Sequence, residues 1–61
     1  MAKFRVWYVE NVGELAGLVV KKERFIDISA SDPYEAQEVA KKAFQRLFGS
    51  IPEFYVHQIG A

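Results

Sequence analysis

The chain has 61 residues, 8 basic and 8 acidic side chains that cancel, one histidine and no cysteine. A chain of this length forms one domain, near the lower size at which a single hydrophobic core suffices without a metal, a disulfide or a partner. The lack of cysteine excludes a disulfide, a thiol nucleophile and a cysteine zinc site within one chain. The zero net charge removes the strong positive field expected of a dedicated nucleic-acid binder.

No apolar run is long enough for a membrane helix, and the start of the chain lacks the apolar segment of a signal peptide. Neither repeats nor low-complexity segments interrupt the chain. We therefore expect one soluble, cytoplasmic domain covering residues 1–61, with no cofactor.

Two strands are predicted in the first half of the chain. Residues Lys3–Glu10 alternate as a strand does but are partly apolar on both faces, and residues Val19–Ala30 are again rich in strand-forming side chains. Asn11, Gly13 and Gly17 mark turn positions between them. The apolar Leu15 and Leu18 then lie near the tip of a hairpin, where they form a candidate contact element.

The register of this hairpin is predicted by requiring that apolar side chains of the two strands lie opposite each other on the same face. A slip of one residue would move every side chain of a strand to the other face of the sheet. Pairs whose numbers sum to 32 satisfy this requirement. On the inner face they place Phe4 opposite Ile28, Val6 opposite Ile26 and Val12 opposite Val20. On the outer face they place Arg5 opposite Asp27 and Trp7 opposite Phe25, an ion pair beside an aromatic pair.

The clearest helix signal lies between Asp32 and Phe48. Asp32 suits the N-cap, Pro33 the first helical position and Glu35 a capping box, while Gly49 and the following proline supply the stop. One stripe of this helix is apolar and must be buried.

A last strand, Glu53–Ile59, follows the helix, with Phe54 and Val56 expected to face it. Because a right-handed crossover leaves room for the first strand between the second and third, we predict an α+β, ββαβ fold, with an antiparallel sheet of order 2-1-3 and the helix on one face. The predicted core comprises Phe4, Val6, Ile26, Ile28, Ala36, Ala40, Ala43, Phe44, Leu47 and Val56.

The opposite sheet face has nothing to cover it, and we call it the open face. Exposed apolar surface of this extent is typical of a binding site. We therefore predict a non-enzymatic module that binds a protein partner, or a second copy of itself, through the open face. The partner-binding residues predicted there are Arg5, Trp7, Phe25, Tyr55 and His57.

Catalysis is not expected, because His57 is the only histidine of the chain and the spacing gives it no partner. The carboxylates of Asp27, Asp32 and Glu35 are explained as a cross-strand partner and helix-cap groups. No glycine-rich phosphate loop links a strand to a helix. The sequence thus indicates no catalytic, metal or cofactor site.

An RNA-binding platform is the alternative function. The basic segment Lys21–Arg24, with Lys3 and Arg5 on the neighbouring strand, lies near the aromatic side chains of the open face, on which bases could stack. Basic residues also keep edge strands soluble, and the neutral net charge favours that simpler explanation. A self-associating structural protein is a further alternative. The edge at Lys21–Arg24 and the tip at Leu15–Leu18 are secondary candidate surfaces.

The layout also resembles two protein families. Both families share the pattern of the opening Phe4-Arg5-Val6 and of the stretch Phe25–Ala36 that leads into the helix. In length, helix placement and the closing Phe54-Tyr55-Val56, the chain resembles the small podophage inhibitors of bacterial RNA polymerase. The helix with its Phe48-Gly49-Ser50 ending looks similar to the archaeal ribosomal LX group. The first resemblance implies a modulator that docks on a host protein or complex, and the second a ribosome-associated domain.

Overall fold

A computed structural model describes all residues of the chain, 1–61. Two long strands form a hairpin, the helix follows, and a short strand ends the fold. In chain order the elements are β1 (Ala2–Leu15), β2 (Leu18–Ala30), α1 (Pro33–Phe48) and β3 (Phe54–Gly60).

The sheet has the order β2-β1-β3, and both pairs of neighbouring strands are antiparallel. The predicted ββαβ fold is therefore confirmed. The helix packs on one face of this sheet, where two small clusters of buried side chains meet it. No helix is long and apolar enough to cross a membrane.

The predicted register is confirmed over most of the hairpin and wrong near its tip. Phe4 pairs with Ile28, Val6 with Ile26, Arg5 with Asp27 and Trp7 with Phe25. The register then shifts between Asn11 and Gly13, so that Val20 lies opposite Gly13 and not opposite Val12. A β-bulge causes the shift, because one extra residue on β1 is accommodated without a partner on β2.

Local backbone geometry explains why the bulge lies at this point. Gly13 has a φ of +149°, which a residue with a Cβ rarely adopts, and its N–H donates a hydrogen bond of 3.2 Å to Oδ1 of Asn11. Asn11 and Gly13 were predicted to lie in the turn, and this prediction is wrong. They belong to the bulge, and β1 continues to Leu15.

The turn itself contains only Ala16 and Gly17. Their φ values are +53° and +82°, and two consecutive positive φ angles are what a tight type I′ hairpin turn requires. Because a two-residue turn joins directly paired strands, Leu15 lies opposite Leu18.

The helix ends follow the predicted signals. Oδ1 of Asp32 accepts a hydrogen bond of 2.7 Å from the Glu35 backbone N–H, and the Glu35 carboxylate accepts bonds of 3.0 Å from the Ser31 backbone N–H and hydroxyl. At the other end, Gly49 has a left-handed φ of +74° and donates its N–H to the Gln45 carbonyl at 2.9 Å. Both caps satisfy backbone groups that a helix leaves unpaired.

The core is narrower than predicted. Phe4, Val6, Ala36, Ala40 and Phe44 are buried as expected, and Ile26, Ile28, Ala43 and Val56 are half-buried. Phe54 and Val56 pack against the buried clusters, as predicted for the side of β3 that faces the helix.

Leu47 was placed in the core, and this is wrong, since it is 63% exposed. The helix residues that face the sheet follow a spacing of four, from the buried Ala40 and Phe44 to the partly exposed Phe48, whose ring centroid lies 5.8 Å from that of Tyr8. Leu47 lies to one side of this line of residues on the helix. Two buried residues absent from the predicted core, Tyr8 and Ala30, lie on the helix side of the sheet.

The hairpin extends well beyond the rest of the fold. Tyr8 is the last residue of β1 that pairs with β3, and the helix ends near the same level. The remaining part, Val9–Glu23, is a two-stranded ribbon that we call the hairpin arm, and it gives the molecule a longest dimension of 45 Å. Every residue from 11 to 20 is exposed.

Candidate functional site

Three aromatic side chains form a row across the open face. Trp7, on the central strand, pairs with Phe25 on β2 and with Tyr55 on β3. The Trp7 and Phe25 ring centroids are 4.9 Å apart, with the rings tilted by 54°. Phe25 is 46% exposed and Tyr55 is 57% exposed. Strand pairing therefore fixes the positions of the three residues, and their side chains are partly exposed to solvent.

An ion pair lies beside the aromatic row. The Arg5 guanidinium donates two hydrogen bonds to the Asp27 carboxylate, from Nε to Oδ1 at 2.8 Å and from Nη2 to Oδ2 at 3.0 Å. The same guanidinium carbon lies 4.1 Å from the centroid of the Phe25 ring, a cation–π contact. Arg5 is thus fixed in orientation by a fork of hydrogen bonds and by an aromatic surface.

The ion pair shifts both titrations. The hydrogen bonds from Arg5 hold the pKa of Asp27 below its ordinary value, charge attraction acts in the same direction, and partial desolvation opposes both. The hydrogen bond to Asp27 raises the pKa of Arg5 further. Both groups therefore stay charged across the physiological pH range.

His57 lies opposite Arg5 on the third strand. Its side chain is exposed and makes no side-chain hydrogen bond. The structure thus brings all five predicted residues, Arg5, Trp7, Phe25, Tyr55 and His57, onto one face. Their role in binding stays a prediction.

Two acidic residues lie beside the aromatic row, on the side away from the Arg5–Asp27 ion pair. Glu23 and Glu53 line an open depression of about 450 Å³ whose remaining walls include Trp7, Val9 and Tyr55. Neither glutamate forms an ion pair, since the ion pairs of the chain join Arg5 to Asp27, Arg24 to Glu10 and Lys41 to Glu38. This end of the open face therefore combines apolar side chains with two carboxylates that form no ion pair.

Neither glutamate was predicted to lie on the open face. For Glu23 the predicted register could have indicated this position, because Glu23 pairs with Val9, which lies on the open face next to Trp7. Glu53 precedes β3, so no pairing in the sheet indicates its position.

The basic segment of β2 does not form one patch. Strand alternation sends Lys21 to the open face and Lys22 and Arg24 to the helix side, where Arg24 binds Glu10. A second basic group, on the helix, lines a surface away from the open face. It consists of Lys41, Lys42 and Arg46, together with Gln45.

The structure contains no cluster of metal-ligating side chains. No three His, Cys, Asp or Glu side chains lie close enough together to hold a metal ion. No protein-family model, curated protein or solved structure matches the chain.

Proposed function

We propose that the protein is a non-enzymatic binding module whose open face docks onto another protein. The row of Phe25, Trp7 and Tyr55 is the observation that supports this proposal. Large aromatic side chains presented on a preordered surface are the usual anchors of protein interfaces, because they bury much apolar area and lose little side-chain entropy. The sheet fixes their spacing before binding, which lowers the cost of association.

The charges around the row indicate the chemistry of the partner. Glu23 and Glu53 lack cationic partners, whereas Arg5 and Asp27 neutralise each other at the opposite end. A protein segment with an apolar side chain for the row and a lysine or arginine beside it would complement this surface.

RNA fits this face less well, although three aromatic side chains in a row could stack bases. The two carboxylates beside the row repel phosphate, and the Arg5 guanidinium is already bound by Asp27. The cations left on this face for phosphate are Lys3 and Lys21. Binding of RNA is thus an outcome for the test to detect.

Action by docking is also what the resemblance to phage inhibitors implies, in which case the partner is a larger host protein or complex. We expect such a protein to act in the cytoplasm. Catalysis plays no part in the proposal, since the open face is a surface without a reacting group.

The test compares Tyr55→Ala with Tyr34→Ala. Both tyrosines are exposed, at 57% and 75%, but Tyr34 lies in the first turn of the helix, away from the open face. Partners captured from a lysate by the wild-type protein are purified, and their affinities for all three proteins are measured. We expect Tyr55→Ala to weaken binding at least tenfold and Tyr34→Ala to leave it unchanged.

The contrary results are equally clear. Equal binding by all three proteins would contradict the proposed face. If ribonuclease abolishes the capture of partners, and the capture falls steeply with salt, the ligand of the face is RNA and not a protein.

A further inference from the structure

The open face already binds one guanidinium through contacts within the chain. The Arg5 guanidinium donates two hydrogen bonds to the Asp27 carboxylate, and its carbon lies 4.1 Å from the centroid of the Phe25 ring. A carboxylate at its edge and an aromatic ring against its face are the two contacts that suit this planar, weakly hydrated cation best. Arg5 therefore shows which chemical group this face of the sheet can hold.

The same two components recur across the aromatic row, without a guanidinium between them. On one side of the row Arg5 lies opposite Asp27, and on the other side Val9 lies opposite Glu23. Glu53, which directly precedes β3, lines the same depression as Val9 and Glu23. The position that corresponds to Arg5 across the row is thus an aliphatic residue with a carboxylate on either side.

Aromatic rings form the wall of this depression next to the row. Trp7 and Tyr55 both line it, and its volume is about 450 Å³. Tyr55 is 57% exposed, so a ligand can cover its ring without any change in the core. Val9 is 41% exposed and offers an apolar surface to the methylene groups of a long side chain. The depression therefore has surfaces for both the stem and the charged head of a cationic side chain.

No basic side chain of this protein neutralises the two glutamates. Arg24, the next residue after Glu23, is bound by Glu10 on the helix side of the sheet. Lys21 lies on the open face two residues before Glu23, and the two form no ion pair. Two carboxylates therefore lie beside a single cation. Charge complementarity favours a cation that comes from the bound partner.

We propose that this depression is a guanidinium site that binds an arginine side chain of the protein partner. The guanidinium lies over Val9, with its face against the aromatic wall and its edges toward Glu23 and Glu53. β1 separates β2 from β3, so the backbones that carry the two glutamates are about 10 Å apart at ~4.8 Å per strand. The inference rests on the proposed function, because it names the group that the partner places on the open face.

Arginine suits this site better than lysine does. Its planar cation has N–H donors on opposite edges, so it can donate to carboxylates on both sides while its face lies on a ring. It is also less strongly hydrated than an ammonium group, which lowers the cost of moving it onto an aromatic surface. Citrulline has nearly the shape of arginine without its charge, and it loses the attraction to both glutamates. We expect the affinity to fall from arginine to lysine to citrulline.

Blocked amino acids test the site without the partner. The probes are the N-acetyl methylamides of arginine, lysine and citrulline, and the readout in NMR titrations is the indole N–H signal of Trp7. We expect saturable binding of the arginine probe, weaker binding of the lysine probe and no saturable binding of the citrulline probe. Glu23→Gln and Glu53→Gln should each weaken binding of the arginine probe by about threefold, as expected for the loss of one exposed ion pair.

Glu38→Gln is the matched control for these two variants. It makes the same change in charge on the helix, where Glu38 lies 3.7 Å from the Lys41 ammonium, and it should leave binding of the arginine probe unchanged. The guanidinium site is overturned if the arginine probe does not saturate the Trp7 signal, or if the citrulline probe binds equally well. An equal loss of affinity in Glu38→Gln overturns it too.

The purified protein partner separates failure of this inference from failure of the proposed function. Its affinity is measured for the wild-type protein, for Tyr55→Ala and for the double variant Glu23→Gln/Glu53→Gln. Weaker binding by both variants supports the guanidinium site. Weaker binding by Tyr55→Ala alone would leave the docking face in place and overturn the guanidinium site. Unchanged binding by both variants would overturn the docking face as well.

Discussion

Trp7 and Phe25 lie directly opposite each other on β1 and β2, with ring centroids 4.9 Å apart, on the face of the sheet that the helix leaves uncovered. Cross-strand aromatic pairs stabilise a sheet by themselves. Here Tyr55 on the third strand extends the pair into a row. The same strand pairing holds the row in the order that the proposed binding requires.

The first prediction concerns Phe44 and Leu47, which are three residues apart on one helix. Phe44 is completely buried and its ring contacts those of Tyr8, Phe48 and Phe54 at centroid distances of 5.0–6.0 Å. Phe44→Ala should cost about 3–5 kcal/mol, enough to unfold so small a domain. Leu47→Ala, at an exposed position, should cost about 0.5 kcal/mol or less. Chemical denaturation followed by circular dichroism measures both, and similar losses in the two variants would contradict the structure.

The fold was largely predictable because its signals are local. Asp32 and Gly49 define the helix ends through their own side chain and backbone, and the pairing of Phe4 with Ile28 follows from alternation alone. The exposure of Leu47 could not be predicted from local signals. An ideal helical wheel places it near Phe44, but its burial depends on whether the sheet extends beneath the last turn, which is a tertiary property.

The hairpin tip shows a similar limit. Asn11 and Gly13 are common turn residues, and they serve a bulge equally well. Only the pairing of the strands on both sides shows that the turn lies at Ala16 and Gly17. On the open face the register was sufficient to bring Arg5, Trp7 and Phe25 together, whereas the contribution of Glu53 depends on the path of the loop before β3.

The second prediction concerns the turn. Ala16 adopts a φ of +53°, a conformation that costs an L-residue about 1–2 kcal/mol and glycine much less. Ala16→Gly should therefore stabilise the protein by about 0.5–1 kcal/mol in urea denaturation, after the greater flexibility of glycine in the unfolded chain is included. Gly17→Ala, at a φ of +82°, should destabilise it. A loss of stability on Ala16→Gly would contradict the turn geometry.

The third prediction concerns the stability of the folded protein at acid pH. Because Arg5 lowers the pKa of Asp27 in the folded protein, the unfolded state binds the proton more readily. The stabilisation by this pair is fully present above the unfolded pKa of about 3.9 and is lost as the pH falls through the lower folded pKa. Denaturation of wild type and Asp27→Asn between acid and neutral pH should show a difference that shrinks below about pH 4.

A direct control for this prediction is the carboxyl resonance of Asp27 followed by NMR. Its midpoint should lie below the ordinary aspartate value and move toward that value in Arg5→Gln. A midpoint at or above the ordinary value in the wild type would show that the ion pair does not form in solution.

The measurement that tests the proposed binding face most directly is NMR mapping of the wild-type protein as a purified protein partner is added. Trp7 is the only tryptophan, so its indole N–H gives one unambiguous signal at the centre of the aromatic row. We predict that this signal and the amides of Glu23, Phe25 and Tyr55 shift or broaden, while Tyr34 and the outer side of the helix stay unchanged. Perturbations confined to the helix, with the Trp7 indole signal unmoved at saturation, would contradict the proposal.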